Sequence, residues 1–212
     1  MEDVLSVYAR PYEGRLPVIC MDEKPVQLLG DLRKSIPLSA SNHTKREDSE
    51  YVRNGTCSIF MFTEPLGCWR EAHVLKRRTK KDWADQIQWL LNEEYPNAEK
   101  VVLIMDNLNT HSLSSLYEAF SPQEAFRLSQ RLEIHHTPKH GSWLNIAEIE
   151  LSALTNQCLN HRRIDNISEL ASEVLSWSVS RTSKQKGVNW QFTTEKARVK
   201  LKSLYPVIEL KN

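Results

Sequence analysis

Two short stretches of the chain are apolar at every position and lead straight into an acid. Val18-Ile19-Cys20-Met21 runs into Asp22, and Val101-Val102-Leu103-Ile104-Met105 runs into Asp106. Unbroken apolar runs of this length suit strands buried on both faces, as in the parallel part of an α/β sheet. Each acid then closes its strand. Sites in open α/β sheets lie beyond the carboxyl ends of the strands, so the two acids converge if the strands are neighbours. Spacing alone equally allows two unrelated aspartates that cap the turns after them.

Residues 56–63 and 68–75 read as β-rich segments joined by Glu64-Pro65-Leu66-Gly67, which suits the loop of an antiparallel hairpin. Trp83, Ile87, Leu90 and Leu91 recur at helical spacing within residues 80–94, and Tyr95-Pro96-Asn97 ends that helix, whose tryptophans are expected in the core. After Asp106 the pattern predicts helices at 113–120 and 122–130 and a strand at 132–136. Thr137-Pro138-Lys139-His140-Gly141-Ser142 then breaks the chain. Ser142 is the expected N-cap of a helix from 143 to about 160, followed by a helix at 167–179 and a helical tail within 191–202. Residues 30–54 are polar and mixed in charge with little periodicity, and are expected to form a long loop or insertion of the kind that contacts DNA or a partner or lacks order. Apart from that insertion, residues 1–212 read as one domain.

Composition changes this picture little. A 40% hydrophobic chain of 212 residues can bury a full core. With no run of eighteen apolar residues, and with acids at positions 2 and 3, it is expected to be soluble and cytoplasmic, without a signal peptide or membrane partner. Lys plus Arg number 28 against 27 acids, so net charge gives no nucleic-acid signature. From His161 to Asn212 there are ten Lys/Arg and five acids, which fits a solvated helical face as well as a DNA-contacting one. The four cysteines form no Cys-x-x-Cys pair and read as reduced core thiols, and His135, His136 and His140 lack the cysteine partners of a zinc site. Six glycines without a Gly-x-Gly-x-x-Gly or Gly-Lys-Ser/Thr loop argue against nucleotide binding. Lys24 stands where an aspartyl-phosphatase would want its second aspartate.

A carboxylate cluster is what two-metal phosphodiester chemistry needs, because Mg²⁺ or Mn²⁺ favours hard oxygen ligands and can serve both the attacking and the leaving oxygen. Asp22 and Asp106 supply two members, and the third should come from the helix after Ser142. Glu148 and Glu150 both lie on it, about 200° apart around its axis, so only one can face a given site. Glu148 shares a stripe with Leu144 and Leu151, and Glu150 lies nearer Ile146, Ala147 and Leu154. Periodicity does not choose between them.

Asp106-Asn107-Leu108-Asn109-Thr110-His111 resembles the second-acid motif of mariner-superfamily DDE transposases, in particular their bacterial insertion-sequence branch. Thr137-Pro138 followed by Trp143-Leu144-Asn145-Ile146-Ala147-Glu148 resembles that family's proline loop and leucine-asparagine-x-x-glutamate motif, and Met21-Asp22-Glu23-Lys24 looks like its first-acid motif. Trp190-Gln191-Phe192-Thr193-Thr194 and the basic helix after it are similar to the branch's C-terminal end, so the resemblance covers nearly the whole chain. It implies an RNase H-like fold, a mixed five-stranded sheet flanked by helices. It also implies Asp22, Asp106 and Glu148 as catalytic, metal-binding acids, which selects Glu148 over Glu150, with two Mg²⁺ or Mn²⁺ ions expected.

The implied activity is cleavage of double-stranded DNA at transposon ends and transfer of the 3′ ends into target DNA by a homodimer, in a bacterial cytoplasm. Asn107 and His111 match motif positions without an assigned role. The gap from Asp106 to Glu148 is longer than is usual for the family, and Ile146-Ala147 replaces proline-isoleucine. About twenty residues precede Asp22, too few for the family's helix-turn-helix domains, so a truncated transposase is expected. Two other readings stay open: a non-catalytic remnant that binds DNA or dimerises with a full-length transposase, and an RNase H-like nuclease with another role.

Overall fold

The computed structural model describes residues 1–33 and 49–205. Its strands are β1 (Val18–Asp31), β2 (Tyr51–Glu64), β3 (Trp69–Leu75), β4 (Val101–Met105) and β5 (Leu132–His136). They form one sheet in the order β3-β2-β1-β4-β5. β2 is antiparallel to β1 and β3, and β4 is parallel to β1 and β5. The sheet is therefore mixed and five-stranded, with helices on both faces, consistent with the RNase H-like arrangement.

The apolar runs serve two cores because side chains alternate along a strand. Cys20, Val102 and Ile104 join Ile59 and Met61 on one face, where they meet α1 (Glu2–Tyr8), α5 (Ile146–Leu154), α6 (Ile167–Thr182) and Ala197 of α7 (Thr194–Lys200). Ile19, Met21, Val101, Leu103 and Met105 join Phe60 and Phe62 on the other, against α2 (Lys80–Trp89), α3 (Leu113–Ala119) and α4 (Pro122–Gln130). α2 starts on a Thr79–Asp82 capping box and continues as a wider turn through Leu90–Glu94, so the helix spans the predicted 80–94. Trp83 is fully buried, and Trp89 is partly buried against Phe62. The hairpin and the other predicted helices also form. The four cysteines are unpaired, and three of them are buried. No described helix is long and apolar enough to cross a membrane.

Three expectations need correction. Asp22 does not close its strand: the pairing of β1 with β4 ends at Cys20, and β1 continues against β2 alone as far as Asp31. Beyond Cys20 the other edge of β1 is released from β4, so the strand can hold Pro25, which has no N–H to offer a second neighbour. Second, the β1–β2 ribbon enters both ends of the supposed loop at 30–54, since Gly30, Asp31 and Tyr51 to Asn54 are strand; residues 34–48 of that expectation lie outside the described residues. Third, Ser142 opens a short 3-10 turn, and Asn145 is the N-cap of α5. The Asn145 carboxamide oxygen accepts from the Ala147 N–H, a bond Ser142 stands too far upstream to make.

Candidate active site

Register explains how the first two acids meet. Cys20 is paired directly with Ile104, and Asp22 and Asp106 stand two residues beyond these partners. Alternation puts both on the face that packs against α5. The third acid is brought there by buried hydrogen bonds at the start of α5. Asn145, 1% exposed, donates from its side-chain nitrogen to the Met21 carbonyl at 2.8 Å while capping the helix. Tyr8 adds a second tie, donating to the Leu144 carbonyl at 2.7 Å and accepting from the Ile146 N–H at 3.3 Å. The first turn of α5 is thus fixed against the β1 residue immediately before Asp22. Glu148 lies in that turn, where the helix dipole favours a negative charge.

The Asp22–Pro25 stretch of β1 and Glu148, Leu151, Ser152, Thr155 and Asn156 of the helix line an open cleft of about 390 Å³. The helical members recur at intervals of three and four residues, one stripe of a helix. Glu150 is on the other side, 1% exposed and bound by Arg181, whose Nη2 lies 3.1 Å from Oε1, with the Arg70 Nε 3.5 Å from Oε2. Of the two glutamates left open by periodicity, only Glu148 shares the cleft of Asp22.

Asp106 is not among the cleft's lining residues, but its charge reaches Asp22. Burial raises the Asp22 carboxyl from 3.8 to about 7; the hydrogen bond from the Glu23 N–H opposes the rise, and the negative charges of Asp106 and Glu148 add to it. Asp22 is therefore close enough to both other acids to be repelled by each of them. The three acids stop short of a ready-made cage: among the described residues no three His, Cys, Asp or Glu side chains form a group that could hold a metal ion as they stand. The donor set itself, half-buried hard oxygens beside an open cleft, suits Mg²⁺ or Mn²⁺.

Sequence reasoning gave no role to Glu23 and left His111 without one. His111, 1% exposed, lies between two carboxylates, its Nδ1 2.5 Å from Asp106 Oδ1 and its Nε2 2.9 Å from Glu23 Oε1. Desolvation alone would lower its pKa, but the hydrogen bonds to Asp106 and Glu23 and their charges outweigh that and raise it to about 9. The one signal available was alternation. Glu23 follows Ile19 and Met21 on the opposite face from Asp22, and that face holds Trp83, whose ring lies 6.1 Å from that of His111. Asn107 is exposed.

The basic residues that could face either solvent or DNA are in part occupied within the chain. Arg162 pairs with Glu173, Arg163 with Asp31 and Arg198 with Glu2, and the Lys196 ammonium donates to the Gln191 carbonyl. Lys139 and Lys200 are exposed.

The family model described as "DDE superfamily endonuclease" matches residues 17–171, a span that contains every residue of the cleft. A search of curated proteins gives no match. Among solved structures, the chain is similar to the Mos1 mariner paired end complex with Mn, at 15% identity and a TM-score of 0.56 over 86% of this chain and 54% of that one. It is similar to the Mos1 transposase paired-end complex with left transposon end at 16% identity, with the same coverage and TM-score. A pre-cleavage Mos1 transpososome aligns at 16% identity and a TM-score of 0.53, over 86% of this chain and 58% of that one. At these identities the likeness is one of fold, and the chain spans little more than half the length of the structures it matches.

Proposed function

We propose, for a chain that belongs to the DDE superfamily endonuclease family, that the cleft between β1 and α5 is the active site of a DNA transposase, which cuts at transposon ends and joins the freed 3′ ends to target DNA. The observation that carries this reading is the shared placement of three acids: Asp22 and Glu148 line one cleft, and the charge of Asp106 is felt at Asp22. Asp22, Asp106 and Glu148 would hold two Mg²⁺ or Mn²⁺ ions, which supply activation of the attacking oxygen and charge stabilisation at the leaving oxygen.

The chain's own groups have definable tasks around that centre. Asn145 and Tyr8 hold Glu148 opposite Asp22, so the carboxylates keep their relative positions when DNA enters. Asp22, its carboxyl raised to about 7, would have to give up its proton to ligate a cation. Lys24, Ser152 and Asn156 line the cleft and offer a charge and hydrogen-bond donors to a phosphodiester. Double-stranded DNA is the proposed substrate and a second copy of the chain the proposed partner, in keeping with the paired-end Mos1 assemblies that share the fold.

The test is incubation of the chain with duplexes carrying the terminal inverted repeats that flank its own coding sequence, with Mg²⁺ or Mn²⁺ and a supercoiled target plasmid. Ion-dependent nicking followed by joined products supports the reading. Nicking without joining would leave a nuclease of the same fold, and no ion-dependent product from the wild-type chain would overturn the proposal.

A further inference from the structure

Glu23 and His111, which are linked to Asp106, have no part of their own in the function proposed above. Their position is unusual because Glu23 and Asp22 are neighbours that point to opposite faces of β1, one into the cleft and one into the packing beneath it. The Glu23 side chain is 2% exposed, His111 is fully enclosed, and Asp106 is about one-third exposed. One end of this bridge is therefore buried and the other reaches the site.

Burying a carboxylate beneath a strand costs several kcal/mol unless a partner offsets it. Glu23 has a partner for one oxygen only: Oε1 meets His111 Nε2 at 2.9 Å, and Oε2 has no hydrogen-bond partner among the described residues. Such an arrangement is hard to account for as stabilisation alone, since an apolar side chain would pack there without the desolvation cost. It is well suited to fixing a ring. With Nε2 held by Glu23 and one face near Trp83, the imidazole cannot turn, and Nδ1 stays aimed at Asp106 Oδ1 at 2.5 Å. Asp106 follows the last residue of β4 in an irregular segment, so no strand pairing fixes it, and this bond restrains its rotamer.

We infer that Glu23 is a positioning residue which, through His111, locks the Asp106 carboxylate in one rotamer, leaving Oδ2 as the oxygen presented to a divalent cation. The inference rests on reading the cleft as a divalent-metal site. It accounts for the presence of His111 five residues after Asp106 by geometry: the intervening loop turns the ring back onto the acid it follows. A partner that orients a ligating group from outside is worth about 10–100-fold in metal affinity where it has been measured.

The experiment is Mn²⁺ binding to the full-length chain, followed by the loss of the free-ion spin-resonance signal, with thermal unfolding in EDTA as the control for folding. Glu23→Ala removes the far anchor and is expected to weaken Mn²⁺ binding by about 10–100-fold. Glu23→Gln is the rescue: its amide can accept from Nε2–H or donate to a bare Nε2, so the ring stays held, and affinity should remain within about threefold of wild type. His111→Phe keeps a ring near Trp83 and removes both hydrogen bonds, and it should match Glu23→Ala, which keeps the test decisive if Glu23→Ala does not fold. Wild-type affinity in both Glu23→Ala and His111→Phe would overturn the inference while leaving the proposed site intact. A loss in Glu23→Gln as large as in Glu23→Ala would overturn it differently, showing that the charge of Glu23 matters and not its hydrogen bond. No Mn²⁺ binding by the wild-type chain would overturn the metal site and this inference with it.

Discussion

Glu148 and Glu150 are the same side chain, two residues apart on one helix, in opposite circumstances. Glu148 is half-exposed in the first turn of α5 and looks across a cleft at Asp22. Glu150 is 1% exposed and tied to Arg181 and Arg70, the latter also 1% exposed along its side chain, where it joins α5 to α6 and β3. The difference is one of compensation. Glu150 has its charge offset inside the protein and can do little besides hold elements together. Glu148 has no ion pair among the described residues and repels Asp22 across the cleft, which leaves its charge available to a cation.

Substitution at the two positions should therefore separate activity from stability. Glu148→Gln is expected to lower ion-dependent DNA cleavage on the order of a thousandfold, several kcal/mol of transition-state stabilisation. Its urea midpoint should stay close to wild type, within about 0.5 kcal/mol. A fully active Glu148→Gln would remove it from the site. Glu150→Ala strands a buried Arg70 and should cost about 3–5 kcal/mol in denaturant unfolding, with cleavage retained wherever the variant is folded. If Glu150→Ala unfolded like wild type and lost cleavage instead, the assignment of the two faces would be reversed.

A pH titration sharpens the same contrast. The Asp22 carboxyl rises from 3.8 to about 7 on folding, so the metal-free protein is favoured by its protonated form. That contribution is whole below pH 4 and is lost as the pH climbs through 7. A cation must displace the proton below pH 7, so Mn²⁺ affinity should rise about tenfold per pH unit between 5 and 7 and then level off. Glu148→Gln deletes one of the charges that raise Asp22 and should move the levelling point to lower pH, whereas Glu150→Gln should leave it in place. A pH-independent affinity over this range would contradict the burial of Asp22.

The smallest effect concerns DNA in the absence of metal. With near-zero net charge and several arginines already paired inside the chain, duplex binding in EDTA should be weak and steeply salt-dependent. Removing the cleft charge in Glu148→Gln should tighten it by no more than about threefold, one phosphate-facing repulsion fewer, and Glu150→Gln should not change it. Fluorescence anisotropy at two salt concentrations would detect the difference, and a larger gain in Glu150→Gln would mean that its carboxylate is exposed to DNA after all.

Much of this is legible in the sequence. Two all-apolar runs point to doubly buried strands, and of the acids that follow them Asp22 lines the cleft, while Asp106 is not among its lining residues. The hairpin with its loop at 64–67 and the helix at 80–94 follow from Pro, Gly and a 3.6-residue period. The length of β1 was not legible, because what carries the strand past Asp22 is its pairing with β2, whose partner residues lie in a later segment of the chain. Nor was the true cap of α5, since Ser142 and Asn145 are both good N-caps and the Met21 carbonyl decides between them.

What the sequence by itself determined is local: which segments alternate with which period, where the chain turns, and which acids follow apolar runs. Tertiary structure decided which of two equivalent glutamates is compensated, because that depends on Arg70 and Arg181, far from α5 in sequence. It likewise decided that Glu23 and His111 meet across 88 positions, at a distance where periodicity carries no information and only the packing of β1 against the segment after β4 brings donor and acceptor within hydrogen-bond range.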